Sequence, residues 1–171
     1  VKVLRPEPAP EVIDTIATLE NVAVLYLEKT RKVELPRLYP LQDLTALHLS
    51  RSDVKALAPI GKFTQLRVLD LSGTQVRRID EITDLPGLEI LDLSRTKIWN
   101  LWPLFQMKKL QRVSIKHTKV LDVEPLVESP NLHTLDASET PLENTSFLAK
   151  MTSLKWFCLL YTSDAADDDH C

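Results

Sequence analysis

Apolar residues recur along this chain in a fixed frame of 22 residues. Leu66, Leu69 and Leu71 open one frame, Leu88, Leu91 and Leu93 the next, and Leu110, Val113 and Ile115 the one after. Numbered within the frame these are positions 1, 4 and 6. The step of two between positions 4 and 6 puts both side chains on one side of an extended chain, which predicts a short strand. Positions 11, 14, 17 and 20 then carry Val54, Leu57, Ile60 and Phe63, followed by Val76, Ile79, Ile82 and Leu85, and by Ile98, Leu101, Leu104 and Met107. Steps of three suit a tight 3₁₀-like segment better than an α-helix. Pro59, Pro103 and Pro125 all fall at position 16, where they penalise a long α-helix. Each frame therefore predicts a strand, a turn and a tight return. A lone frame cannot bury its comb of apolar residues, so the frames must stack into a solenoid.

Frames begin at Val22, Leu44, Leu66, Leu88, Leu110, Leu132 and Leu154, giving six complete repeats from 22 to 153 with partial ones at either end. Ile13, Ile16 and Leu19 match the return half of an earlier frame, so the repeat domain is expected over 11–157. Residues 1–10 hold three prolines and break the pattern, as a linker, an irregular cap or a degenerate repeat would. The chain opens on Val1 without a basic, apolar leader and lacks an apolar run near 18 residues. Neither a signal peptide nor a membrane span is read, compartment stays open, and such a start suggests part of a longer reading frame.

Position 9 carries Thr30, Ser52, Thr74, Thr96, Thr118 and Thr140, just past the strand. A small hydroxyl there can bond turn backbone of its own or the next frame. The pattern LxxLxLxxTxVxxLxxLxxLxx resembles the leucine-rich repeat family over about residues 11–157. The 22-residue length and the Leu-Trp-Pro-Leu at 101–104 are similar to the repeats of the bacterial internalins, a theme echoed at 57–60 and 123–126. Thr or Ser stands where that family usually has Asn, and it can donate one hydrogen bond where Asn donates two. The resemblance implies an α/β leucine-rich repeat solenoid: a right-handed superhelix with a parallel concave sheet and a convex side of short 3₁₀ or irregular segments.

From Cys158 the frame is abandoned, and residues 158–168 resemble the reading-frame translation of a transposase-based sequencing adapter. Residues 158–171 are accordingly read as an appended tail. That changes the charge argument. The whole chain has 21 basic and 24 acidic residues, a net charge of −3; without Asp164, Asp167, Asp168 and Asp169 the balance is 21 against 20, or +1. A near-neutral protein selects no particular partner. Both cysteines, Cys158 and Cys171, leave with the tail, and with them any disulfide framework or CxxC site.

Positions 3, 5, 7 and 8 face away from the core on the concave side, with position 10 at its edge. Stacking at about 4.8 Å per strand turns equal positions into columns. Position 5 gives Tyr26, His48, Asp70, Asp92, Ser114 and Asp136; position 8 includes Arg51, Arg95 and His117; Arg112 and Lys116 add basic charge. Asp70 beside Asp92 invites comparison with a catalytic pair or a cation site. Neither a third ligand nor a pocket-forming loop accompanies them, and Arg95 and Lys97 stand near enough to compensate. His48, His117 and His133 make no metal spacing or triad. No catalytic residue, metal or cofactor is expected. A basic patch of Arg95, Lys97, Arg112, Lys116, His117 and Lys119 suits phosphates. The columns between 68 and 139 lack the aromatic platforms a single strand wants, which argues against nucleic acid.

Trp99 and Trp102 sit at positions 12 and 15, beside core positions rather than on them. Packing over Val76 and Leu121 is the favoured expectation; an anchor for a partner or flanking domain is the other. The overall expectation is a non-catalytic module that binds a protein on its concave sheet through Tyr26, His48, Arg51, Asp70, Asp92, Arg95, Arg112, Lys116, His117 and Asp136. The alternatives are a sensor or autoinhibitory region of a larger NTPase, kinase or ubiquitin ligase, and a fragment of a surface adhesin.

Overall fold

The computed structural model describes residues 2–5, 12–58, 60–142 and 144–160. Eight parallel strands follow one another in a single sheet in chain order. They are β1 (Lys2–Leu4), β2 (Val22–Tyr26), β3 (Ala46–His48), β4 (Val68–Asp70), β5 (Ile90–Asp92), β6 (Arg112–Ser114), β7 (Thr134–Asp136) and β8 (Trp156–Cys158). From β2 onward each pair is offset by one frame: Leu25 faces Leu47, then Leu69, Leu91, Val113, Leu135 and Phe157. In β4, β5 and β7 the middle residue is buried and its two neighbours are half-buried. The strand's period of two thus points position 4 into the core and leaves positions 3 and 5 on the open face.

The predicted returns are present, and most are 3₁₀: Leu35–Leu38, Ile60–Lys62, Asp80–Asp84, Trp102–Leu104 and Ser146–Lys150. Two short segments, Val12–Ala17 and Glu124–Val127, are α-helical instead. Pro103 and Pro125 lie in the first turn of their segments, where a missing N–H costs no hydrogen bond. Pro59 is outside the described residues. Leu57, Ile60, Ile79, Ile82, Leu101, Leu104, Val123 and Leu126 of successive returns are all essentially inaccessible, and they close the core opposite the sheet.

The sheet ladder continues past the short strands. The N–H of position 6 donates to the position-5 carbonyl of the next frame, as Leu49 does to Asp70 (2.8 Å) and Leu71 to Asp92 (2.9 Å). The N–H of position 8 donates to the next position-7 carbonyl, as Arg51 does to Ser72 (2.7 Å) and Arg95 to Lys116 (2.8 Å). Aiming that N–H forward requires a left-handed residue. Lys29, Arg51, Arg95, His117 and Glu139 all have φ between 55° and 57°, and Gly73 has 67°. Only Gly73 adopts this backbone without a Cβ penalty.

The position-9 hydroxyls settle on their own frame. Thr74 donates to the carbonyl of Leu71 (2.7 Å), Thr96 to Leu93 (2.6 Å) and Thr118 to Ile115 (2.7 Å), all buried. Ser52 is the exception, with a buried hydroxyl that has no hydrogen-bond partner among the described residues. Thr74→Val should therefore lose about 0.5–1.5 kcal/mol, the net worth of one hydrogen bond. Ser52→Ala should hold or raise stability, because an unsatisfied buried hydroxyl carries a desolvation cost of about 1–3 kcal/mol. Urea denaturation of the two variants measures the contrast directly; equal losses would remove the distinction between the two turns.

The sheet reaches beyond the clear repeats at both ends. β1 pairs with β2 through a register shift between Lys2 and Val3. At the other end β8 includes Cys158, whose carbonyl accepts the Ala137 N–H (2.9 Å), and Leu160 accepts from Glu139 (2.8 Å). Backbone groups carry no side-chain identity, so residues assigned to the tail can extend the ladder. Cys158 is buried. Residues 161–171, the rest of that segment, lie outside the described residues. Among the described residues no helix is long and apolar enough to cross a membrane.

Candidate functional site

The open face of the sheet collects most of the expected contact residues. Strand register brings Tyr26, His48, Asp70, Asp92, Ser114 and Asp136 into one row. At its start the Tyr26 and His48 rings stack, with centroids 4.3 Å apart and planes 6° from parallel. The Arg5 guanidinium covers the other side at 4.0 Å from the Tyr26 centroid. His48 Nδ1 lies 3.7 Å from Asp70 Oδ2. Arg5, from a segment outside the clear frames, is a residue no repeat pattern could have placed here.

The aspartates are not free carboxylates. Asp70, Asp92 and Asp136 each accept, through Oδ1, the N–H two residues on, from Ser72 (2.9 Å), Ser94 (2.8 Å) and Ser138 (3.0 Å). One oxygen of each is thus occupied in shaping the turn, and the other remains on the open face. Their electrostatics diverge. Burial pushes the Asp70 carboxyl up, but the nearby His48 imidazole and the bonds from Ser72 outweigh it and hold the group below the ordinary aspartate value. Burial also pushes Asp92 up, the Ser94 bonds oppose that, and the charges of Asp70 and Asp136 reinforce it, leaving it raised.

These opposite directions give opposite pH dependences. Asp70, with a folded value below the unfolded one, contributes stability above the unfolded value and loses it as pH falls through the folded value. Asp92, with a folded value above the unfolded one, costs stability at neutral pH and recovers it as pH falls. Asp92→Asn keeps an oxygen for the Ser94 N–H and should raise the melting temperature at pH 7, with the gain vanishing once the medium is acid enough to protonate aspartate. Asp70→Asn should lower it at pH 7. Thermal melts across that range test both signs, and a uniform shift at all pH values would contradict the assignment.

The row beside it, at position 3, runs Val24, Ala46, Val68, Ile90, Arg112, Thr134 and Trp156. Its first four members form an apolar strip beside Tyr26 and His48, which the charge-led sequence reading missed although the column was there to read. Arg112 is exposed and starts the basic half. Lys116 and His117 both reach Glu139, at 3.6 and 2.9 Å, so part of the expected basic patch is neutralised by the next frame. Those contacts hold the Glu139 carboxyl below its ordinary value, His117 contributing most. Arg95, Lys97, Arg112 and Lys119 remain exposed. Arg51 lies across Gly73, where an added Cβ would meet its Cγ at 3.1 Å. No group of three or more His, Cys, Asp or Glu that could hold a metal ion occurs among the described residues.

Trp99 and Trp102 are on the return side, far from this face in the frame. They are 64% and 55% exposed, so the expected packing into the stack does not form. Positions 12 and 15 point away from the core comb at 11 and 14. Leu121, expected to be covered, is itself 69% exposed.

A family model described as leucine rich repeats, in two copies, matches residues 64–106. A comparison with curated proteins finds no match. Among solved structures the chain is similar to internalin C2 of Listeria monocytogenes, with a TM-score of 0.77 and 23% identity over 84% of this chain and 64% of that one. A second Listeria monocytogenes internalin gives a TM-score of 0.72 and 19% identity over 87% of this chain and 54% of that one. A leucine-rich repeat protein of Leptospira interrogans gives 0.65 and 21%, covering 84% and 44%. The chain spans less than two thirds of the length of each, and identities at this level speak for the fold alone. The 22-residue register, the single parallel sheet and the matched repeats together give this chain the fold of a leucine-rich repeat solenoid.

Proposed function

We propose that this chain is a non-catalytic module that binds another protein on the open, concave face of its sheet. The observation that carries the reading is the uninterrupted frame-to-frame register, which holds exposed side chains of seven strands at fixed spacing. A surface built this way loses little side-chain and backbone freedom when it docks, so more of the contact energy appears as affinity. The face divides along the stack. Val24, Val68 and Ile90, with the Tyr26–His48 stack, offer an apolar and aromatic half. Arg95 and Arg112, beside the Lys116–Glu139 pair, offer a basic half, with Asp70, Asp92 and Asp136 running between. A partner that fits presents an apolar ridge followed by acidic residues.

The test compares proteins retained from the source cells and their medium by three immobilised forms. These are the wild type, Arg112→Glu/Lys116→Glu, and a return-side control, Lys55→Glu. A partner held by the wild type and the control should lose at least tenfold in affinity for the double reversal, because like charges across an interface cost several kcal/mol. Retention unchanged by the double reversal would sink the concave-face reading.

A further inference from the structure

On the return side two shallow clefts open on either side of the Trp99 indole. One, of about 240 Å³, is lined by Arg77, Arg78 and Asp80 with Trp99 and Asn100. The other, of about 260 Å³, is lined by Trp99, Asn100, Trp102, Leu121 and Asp122. The two share Trp99 and Asn100, so they form one surface that crosses from frame to frame.

The parts of this surface are held in place before any ligand arrives. Asn100 Oδ1 accepts the Trp102 N–H at 2.9 Å, and Asp122 Oδ1 accepts the Glu124 N–H at 2.8 Å. Each planar side chain is thereby fixed through one oxygen. Asn100 Nδ2 is left as a donor and Asp122 Oδ2 as an acceptor. The Trp102 ring is braced by Phe105, with centroids 5.9 Å apart and planes at 50°. Broad indole faces therefore stand next to fixed amide and carboxylate groups, with no enclosed apolar pocket.

That combination selects a chemical class. Each cleft is smaller than the roughly 300–1,000 Å³ of pockets that enclose a drug-sized molecule. It suits a single ring that is apolar on its face and carries hydrogen-bonding groups around its edge. A pyranose sugar is such a ring: its C–H face lies on the electron-rich face of an indole while its hydroxyls meet amide and carboxylate. A single-stranded nucleic acid would also stack on indoles, but it needs a positively charged groove that tracks its backbone. Here Arg78 is paired with Asp80 at 2.9 Å and Arg77 stands against Asp122 across the two clefts, so the surface offers no such groove. Leu121 and Pro125 beside the two indoles also give a protein anchor some apolar surface, but the fixed amide of Asn100 and carboxylate of Asp122 next to the indoles match the ring-edge hydroxyls of a sugar, and a protein occupant is an outcome of the test below.

The geometry points to a binding site for a neutral oligosaccharide. At least two pyranose rings lie across Trp99 and Trp102, with their hydroxyls bonded by Asn100 and Asp122. This site is separate from the concave face, so either can fail without the other.

The full chain is titrated calorimetrically with cellohexaose, maltohexaose and chitohexaose, and tryptophan quenching by acrylamide is followed in parallel. At least one sugar should bind saturably and protect the indoles from quencher. Trp99→Ala should weaken that binding about tenfold or more, Asp122→Ala severalfold, and Trp156→Phe should leave it unchanged. Trp99 and Trp102 are exposed, so their variants should melt with the wild type, and the melting curve verifies this. Absence of saturable binding for all three sugars up to about 10 mM overturns the proposal. So does sugar binding that Trp99→Ala/Trp102→Ala leaves intact, or a protein partner that occupies this surface and is lost in that double variant while no sugar binds.

Discussion

Replacing Phe63 with alanine should cost about 3–5 kcal/mol, the range for truncating a buried aromatic side chain. Phe63 is the largest fully buried side chain among the described residues, with 0% exposure, at position 20 of its frame. Its ring meets Tyr39 of the preceding frame at 6.2 Å and 59°. Its backbone closes the return, donating to the Ile60 carbonyl at 3.0 Å and accepting from the Leu66 N–H at 2.9 Å. Because both neighbours of the ring are fixed by these turns, the frame cannot collapse into the space left behind. A loss of this size is a large share of the 5–15 kcal/mol that stabilises a typical domain. In a stack where each repeat touches only its neighbours, it also weakens the coupling between the frames on either side. With a urea dependence of about 1–3 kcal/mol per molar, the denaturation midpoint should fall by 1 M or more, and the transition should broaden. A midpoint within about 0.3 M of the wild type would mean that the site repacks and the frames are less rigid than described.

Adding a single methyl group at Gly61 should cost about 1–3 kcal/mol by overpacking. A Cβ built on Gly61 would sit 2.4 Å from Cβ of Asp84, in the return of the following frame. Asp84 Cβ is tied to its own backbone and cannot swing away as a side-chain tip would, so the two returns must separate. Gly87→Ala is the matched control: its added Cβ would meet the Leu66 carbonyl oxygen at 3.5 Å, an ordinary contact, and should change stability by less than about 0.5 kcal/mol. If the Gly61 effect is this contact, Asp84→Gly should rescue Gly61→Ala. A double-mutant cycle should then show a coupling of about 1 kcal/mol or more. Strictly additive losses would reject the contact as the cause.

The sequence alone determined the frame, and with it the architecture. Leu69, Leu91 and Val113 at position 4, and Ile60, Ile82 and Leu104 at position 17, had to meet a core, and the one arrangement that buries both rows is a stack with a strand on one side and a tight return on the other. The turn role of Thr74, Thr96 and Thr118 was legible for the same reason, since a short hydroxyl after a strand has only backbone within reach. The columns of the open face also followed from the period, because an offset of one frame is built into every strand pair from β2 onward.

Contacts between frames were decided only by the tertiary structure. Other frames carry Thr83, Phe105 and Val127 at the position of Gly61, so nothing in the repeat announces that Asp84 closes over it. The left-handed backbone at position 8 is hinted at by Gly73 and concealed by Lys29, Arg51, Arg95, His117 and Glu139, whose strain is offset by ladder bonds to the next frame. Whether Asp92 is an open charge or a half-buried carboxyl between two others depends on how deep the row lies, and a column of letters carries no depth. The same holds for Glu139 drawing in Lys116 and His117, and for Trp99 and Trp102 standing open. Periodicity fixes which residues are neighbours, while the distance and burial that set their energies arise only when the frames are stacked.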